Sequence, residues 1–429
     1  MDTWGTVLQN IKEINTTSGL YTLVANNFMK RHYILIFLIA FTSCNSLKQL
    51  QLMKSGKTEQ KEFFITTPFE FRAGLPILEV QVNGLKGNFL FDTGAPNVIS
   101  LEFVKKLRLK TKAKGNVEDS GGNTVTDQKY VSLADVKIGS VNFLNTGAII
   151  QDLNSSDIME CIKLDGIIGA NLMKEAFWKI DYENQTLTLT NDISKLEISN
   201  DYEVLKFKAK ISSTPLINLS VNGIEIKNIT FDTGSNGQIT LPKKFYHQLK
   251  KKDVMLNSTF IKGSTTYGVN GIAKSDTTYF AKSKNFRIGD ISLNNKIIQF
   301  REHSDIVGTG FLKNFSIILD WKNNQIYLKK IRNYDYNSIE DFGFRLNLKD
   351  NKLFVGAIFN NSDSYGKLEI GDEILEVNET DFKNLSKFDF CELINNRNWE
   401  YEKSEKIKIK VKRDKEILTY EIRKLELLK

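Results

Sequence analysis

Phe89-Leu90-Phe91-Asp92-Thr93-Gly94-Ala95 is matched further along the chain by Ile229-Thr230-Phe231-Asp232-Thr233-Gly234-Ser235, with the two aspartates 232 − 92 = 140 residues apart. The likeness extends in both directions. Upstream, Pro76-Ile77-Leu78-Glu79-Val80-Gln81-Val82-Asn83-Gly84 recurs as Pro215-Leu216-Ile217-Asn218-Leu219-Ser220-Val221-Asn222-Gly223, an offset of 215 − 76 = 139. Downstream, Gly166-Ile167-Ile168-Gly169 is echoed by Asp305-Ile306-Val307-Gly308, and the run from Lys179 to Gln185 by that from Ile318 to Gln325. Order and spacing kept over roughly a hundred residues per copy mark an internal duplication. Two copies of this length are too few and too long for a solenoid. They predict two similar halves about a pseudo-twofold axis, which brings a residue near the axis in one copy to its equivalent in the other. Asp92 and Asp232 are therefore expected to converge.

Within each copy apolar residues alternate or run in short stretches, such as Ile77, Val80, Val82 and Phe89, Leu90, Phe91, or Leu216, Leu219, Val221 and Ile297, Ile298, Phe300. Separated by Asn-Gly, Gly-Asp and Gly-Ser turns, they predict a mainly antiparallel all-β fold. Short helices are expected at Leu101 to Leu109 and Lys243 to Lys252, with Pro242 suited to a first helical turn. The apolar triplet before each Asp reads as a buried strand and Thr-Gly as a sharp exit, so each carboxylate sits at a strand end. An ionisable group placed there is costly to bury without a partner.

Composition narrows the chemistry. The 429 residues are 41% apolar, enough for two or three cores. A net charge of +8 is spread among 51 acidic residues and reads as a solvated basic surface, with nucleic-acid binding not expected. Cys44, Cys161 and Cys391 lie far apart in sequence, which supports neither a disulfide framework nor a zinc site. His32 falls in a targeting segment, and His247 and His303 are expected to be structural, leaving little for a histidine-based mechanism. No metal and no cofactor are expected.

The paired signatures, hydrophobic-Asp-Thr-Gly-Ala/Ser and the later hydrophobic-hydrophobic-Gly at Ile167-Ile168-Gly169 and Ile306-Val307-Gly308, resemble those of pepsin-like and retropepsin-like aspartic peptidases. The likeness covers about residues 70 to 332. It implies a two-lobed all-β fold of fused, duplicated lobes, with Asp92 and Asp232 as the catalytic pair. Two carboxylates within hydrogen-bond reach share one proton. The ionised member deprotonates a water held between them, and the protonated one donates to the scissile carbonyl. By the same resemblance Thr93 and Thr233 bond across the axis, and the Gly94 and Gly234 amides point at the carboxylates. Ala95 against Ser235 breaks the symmetry, because a serine hydroxyl can favour a charged carboxylate and alanine cannot. The pair is expected to titrate higher than one flanked by two serines, with activity from mildly acidic to near-neutral pH. The glycine-rich stretches Asp119 to Thr124 and Gly263 to Gly271 are expected either as hairpin tips over the cleft or as ordinary exposed turns.

At the front, Met29-Lys30-Arg31-His32, an apolar run from Tyr33 to Phe41 and Thr42-Ser43-Cys44 make up the parts of an export signal. Cys44 after small residues resembles a bacterial lipoprotein signal, implying lipidation of Cys44, translation from Met29, and a polar tether over 45–69. The copies are expected at 70–200 and 201–335.

From Ser338 another pattern begins, with Phe342-Gly343-Phe344, then Gly371-Asp372-Glu373-Ile374-Leu375-Glu376-Val377-Asn378, and finally alternating Ile407, Ile409, Val411. Residues 338–429 resemble a PDZ domain, an α+β unit, with Phe342, Gly343 and Phe344 as its carboxylate-binding loop. Asp341 and Glu379 stand where that family carries other residues. The resemblance implies capture of peptide C-termini by strand addition.

Together these readings predict a monomeric aspartic endopeptidase of the cell envelope, secreted and held at a membrane by a lipid anchor, with peptide or protein substrates. The alternative is a lipoprotein that binds peptides without cutting them.

Overall fold

The computed structural model describes residues 47–118, 124–154, 156–268, 271–302, 304–383, 385–396 and 399–429. The chain is mostly β-strand, as its alternating patterns require. Along Leu75–Val82, Leu78, Val80 and Val82 enter the main core while Ile77 packs into a second cluster on the other face. Leu85–Asp92 pairs antiparallel with that strand and parallel with Gly166–Gly169, a register that sets Gly169 beside Asp92. The second repeat does the same, with Ile224–Asp232 parallel to Ile306–Gly308 and Gly308 beside Asp232. Phe91 and Phe231, each immediately before its aspartate, are 0% exposed. Burying such a ring contributes about 1.5–3 kcal/mol, which fixes both strand ends in the core.

In both repeats a short strand follows the aspartate, Val98–Ser100 or Ile239–Pro242, and runs antiparallel to the Gly-bearing strand. Helix Leu101–Leu107 then starts with the Ser100 side chain accepting from Phe103 N–H. Its counterpart Lys243–Lys251 begins after Pro242, which closes the preceding strand and stands at the cap instead of in the first turn.

A six-stranded sheet joins the copies, in the order Glu203–Lys206, Gln325–Lys330, Phe315–Asp320, Phe177–Asp181, Thr186–Thr190, Phe64–Pro68. At its centre Lys179 lies opposite Ile318, and 318 − 179 = 139 is the repeat offset itself. A residue paired with its own copy lies on the pseudo-twofold axis. Trp178 opposite Leu319 and Ile180 opposite Ile317 complete the symmetric register.

Two expectations need correction, and one contact lies outside them. Residues 45–69, read as a polar tether, are structured from residue 47 onward: residues 47–54 form a helix, Lys57–Thr58 pairs with Val141–Gln151, and Phe64–Pro68 edges the central sheet. Buried Met53 and Phe63 anchor this segment, and their hydrophobic contribution is diluted in a composition-based reading. The contact outside them is made by the C-terminal unit. Its strand Lys352–Phe359 pairs with Met255–Gly263 of the second repeat, making one continuous 14-stranded sheet. The second correction is the disulfide that Cys161 and Cys391 form across a sequence separation of 230. Sequence distance says nothing about two cysteines on short helices, Asp157–Ile162 and Lys387–Asn396, that tertiary packing brings together.

Candidate active site

Asp92 and Asp232 stand at equivalent strand ends, and their carboxyl groups converge where the two copies meet. Two reciprocal sets of bonds impose this. Thr93 Oγ1 donates to Phe231 O (2.6 Å) and Thr233 Oγ1 to Phe91 O (2.9 Å). Each hydroxyl also accepts from the opposite threonine's N–H at 3.0 Å. Thr93 and Thr233 are both wholly buried. A buried hydroxyl must satisfy its hydrogen bonds, and here, among the described residues, its partners come from the other copy.

Gly94 N–H donates to Asp92 Oδ1 (2.7 Å) and Gly234 N–H to Asp232 Oδ1 (2.9 Å). The glycines are also required by space. A Cβ on Gly94 would meet the Asp232 carboxyl carbon at 2.6 Å, and one on Gly234 would meet that of Asp92 at 2.1 Å. Each Asp-Thr-Gly loop thus presses its backbone against the other loop's carboxylate.

Burial is the main force on the pair. It raises Asp92, partly offset by the hydrogen bond from Asp232 and by the Gly94 and Ala95 amides. Asp232 is raised well above the ordinary carboxylate value, first by burial and then by the charge of Asp92, against the Gly234 and Ser235 amides. Two carboxyls so placed titrate as a unit and not as independent groups.

Ala95 and Ser235 follow the glycines. Ser235 Oγ accepts from Gly237 N–H at 3.4 Å. Residues that sequence reasoning missed hold the loops from behind. Asn97 Oδ1 accepts from Gly169 N–H (2.7 Å), Asn171 Oδ1 from Asn97 N–H (2.6 Å), and both side-chain amides donate to Gly147 O. A signal for them existed, because Asn171 is a lone polar residue in Ala170-Asn171-Leu172-Met173, and a buried amide there needs partners. In the second repeat Thr309 Oγ1 donates to Thr233 O (2.8 Å).

The remaining predicted residues lie elsewhere. Phe342 and Phe344 pack into the core of the C-terminal unit, and Gly343, in the left-handed region at φ 88°, turns the chain between them. The Gly343 N–H is taken by Asp341 Oδ1 (2.6 Å), whose carboxylate also pairs with Arg345. His247 is exposed on its helix. Cys44, its signal segment, residues 119–123, Val269, Asn270 and His303 lie outside the described residues.

The aspartyl protease family model matches residues 78–172. That stretch opens in the strand before the first aspartate, contains Asp92-Thr93-Gly94 and Asn97, and closes just beyond Gly169 and Asn171, so it spans the whole first half of the site. It supports an aspartyl protease family for this chain. No curated protein matches the chain.

Proposed function

We propose that this protein is an aspartic endopeptidase that hydrolyses peptide bonds with water activated between Asp92 and Asp232. The observation that carries this reading is the convergence of two carboxyls, one from each copy, each pressed against the other copy's glycine, in loops locked by reciprocal threonine bonds. A shared proton gives one base and one acid at the same point. The base takes a proton from water as its oxygen attacks the carbonyl carbon, the acid protonates the carbonyl oxygen, and a tetrahedral gem-diol forms. Proton return to the amide nitrogen expels the amine and restores the pair. Neither carboxylate bonds covalently to substrate. The amides of Gly94 and Gly234 hold the carboxyls in place without reorganisation during the reaction.

The fused copies supply a complete pair within one chain, which fits a monomer. A disulfide between Cys161 and Cys391 fits an oxidising compartment, and so supports export to the cell envelope. We assign lipidation to Cys44, which would hold the enzyme at a membrane face, and assign peptide C-termini as ligands of the C-terminal unit at Phe342, Gly343 and Phe344. Neither a cofactor nor nucleic acid has a role in this scheme.

The test is a peptide-library digest read by mass spectrometry, wild type beside Asp92→Asn, from pH 4 to 7.5. Cleavage by the wild type alone is expected. Peptides bound but uncut by the wild type at every pH would defeat the reading.

A further inference from the structure

The C-terminal unit touches both repeats, and at each place it reaches toward the site. On the first repeat, helix Asp157–Ile162 packs against both strand Phe344–Lys349 and helix Lys387–Asn396 of the C-terminal unit. Cys161 is 1% exposed within the core of the C-terminal unit, where Ile158 also packs. Asp157 Oδ2 accepts from Asn351 N–H (3.1 Å), Glu160 pairs with Lys387, and Asn395 Nδ2 donates to Cys161 O (3.0 Å).

From that helix the contacts run to both aspartate loops. Asn395 O accepts from Ala73 N–H (2.9 Å), and Ala73 O accepts from Asn236 Nδ2 (2.9 Å), the residue after Ser235. Ile394 packs in the same apolar cluster as Ala95 and Leu75. On the second repeat, strand pairing sets Gly263 opposite Ala357, and Ser264 N–H donates to Gly356 O (3.0 Å) where the hairpin tip begins. A Cβ on Gly263 would come within 2.2 Å of Gly356 O, so the seam needs glycine there.

We propose that the C-terminal unit is a positioning clasp for the cleft: joined to the second repeat by strand pairing and latched to the first by Cys161–Cys391, it ties both aspartate loops to one frame, and a dithiol reductant opens it. This rests on the peptidase reading. In the opening step the dithiol attacks the disulfide, the Cys161–Cys391 bond breaks, both cysteines leave as thiols, and the reductant becomes a cyclic disulfide, two electrons and two protons having passed to the protein. Helix Asp157–Ile162 is then held by non-covalent contacts alone, and Ala73, Asn236 and Ile394 lose their fixed support. Asn395 acts through Ala73 and is a positioning residue.

The test uses the full chain in three states: oxidised, reduced with dithiothreitol and alkylated, and as Cys391→Ser. Hydrogen exchange should accelerate about tenfold or more in residues 157–162 and 387–396 in the latter two states, because local opening no longer strains a covalent tie. Peptide cleavage should lose about tenfold in kcat/KM, mainly as a rise in KM, since the cleft walls move and the carboxylate pair is kept. Unchanged exchange in both segments overturns the clasp whatever the catalytic result. Faster exchange with unaltered KM overturns the positioning role. Faster exchange with no cleavage in any state leaves the latch standing and defeats the peptidase reading instead.

Discussion

At the exit of the first Asp-Thr-Gly loop, Asn97 and Asn171 brace the backbone with their side chains; at the exit of the second, glycines occupy both equivalent places, Gly237 (97 + 140) and Gly310 (171 + 139). There the main chain braces itself. Gly308 N–H donates to Gln238 O (2.9 Å) and Gly310 N–H to Gly237 O (2.8 Å), while Thr309, where the first copy has Ala170, adds its hydroxyl bond to Thr233 O. Two aspartates are thus delivered to one point by unlike supports. Symmetry is strict where the two copies touch, at the threonines and at the glycines pressed on the carboxylates, and relaxed one layer behind.

The largest test of this division acts on the symmetric layer. Asp92→Asn and Asp232→Asn should each lose roughly 10²–10⁴-fold in cleavage rate, the range for losing a positioned acid or base. They should also raise stability at neutral pH. Burial lifts both carboxyls above the ordinary value of 3.8, so the folded state binds protons more tightly than the unfolded chain. Their contribution to stability is full below that value and is lost as pH climbs through the raised folded values. Every tenfold difference in proton affinity between the folded and unfolded chain is worth about 1.4 kcal/mol. Melting temperatures of Asp232→Asn and wild type should coincide near pH 3 and separate by pH 7, with the variant higher. A variant that melts lower at pH 7 would contradict the desolvation account.

The asymmetric layer gives the next effects. Gly310→Asn, which copies the first support into the second, brings a Cβ to 2.7 Å from Gly237 O and 2.9 Å from the Gln238 side chain. About 1–3 kcal/mol should be lost to overpacking. Asn171→Gly, the reverse exchange, leaves the Asn97 N–H buried and unpaired for roughly 1–3 kcal/mol. Urea midpoints for the two variants measure the two supports directly. Equal stability of both with wild type would mean that neither brace matters.

A milder probe is Thr309→Val, which keeps shape and removes the donor to Thr233 O. A loss of about 1 kcal/mol in urea denaturation is expected, with cleavage falling only a few-fold. Full retention of stability would place the second loop's support in the backbone alone.

The same division governs what the sequence discloses. The all-β character is plain from period-two alternation, and the offset of 139 that aligns the copies reappears as the central pairing of Lys179 with Ile318. Features on the symmetry axis are written twice, once per copy, and repetition makes them visible. Features written once stay hidden. The Cys161–Cys391 pair, the docking of helix Asp157–Ile162 and the packing of Met53 and Phe63 have no echo at the repeat offset, and depend on long-range contacts that spacing does not encode. Asn97 and Asn171 fall between these cases. They adjoin repeated motifs, yet their counterparts are glycines, so aligning the copies erases them.

Ala95→Ser sharpens the comparison at its smallest scale, since it restores symmetry at one hydroxyl. In the second loop Ser235 Oγ already accepts from Gly237 N–H, whereas in the first the equivalent amide, that of Asn97, is engaged by Asn171 at 2.6 Å. A serine at 95 therefore meets no waiting donor, and its hydroxyl hydrogen is free for the Asp92 carboxylate. Donation to the charged form lowers a carboxyl's titration. The acid limb of the cleavage profile should move down, by no more than about one pH unit, which is 1.36 kcal/mol between protonation states. A profile displaced upward would show that serine here adds burial and not a hydrogen bond, and would move the origin of the asymmetry from position 95 to the Asn97–Asn171 brace behind it.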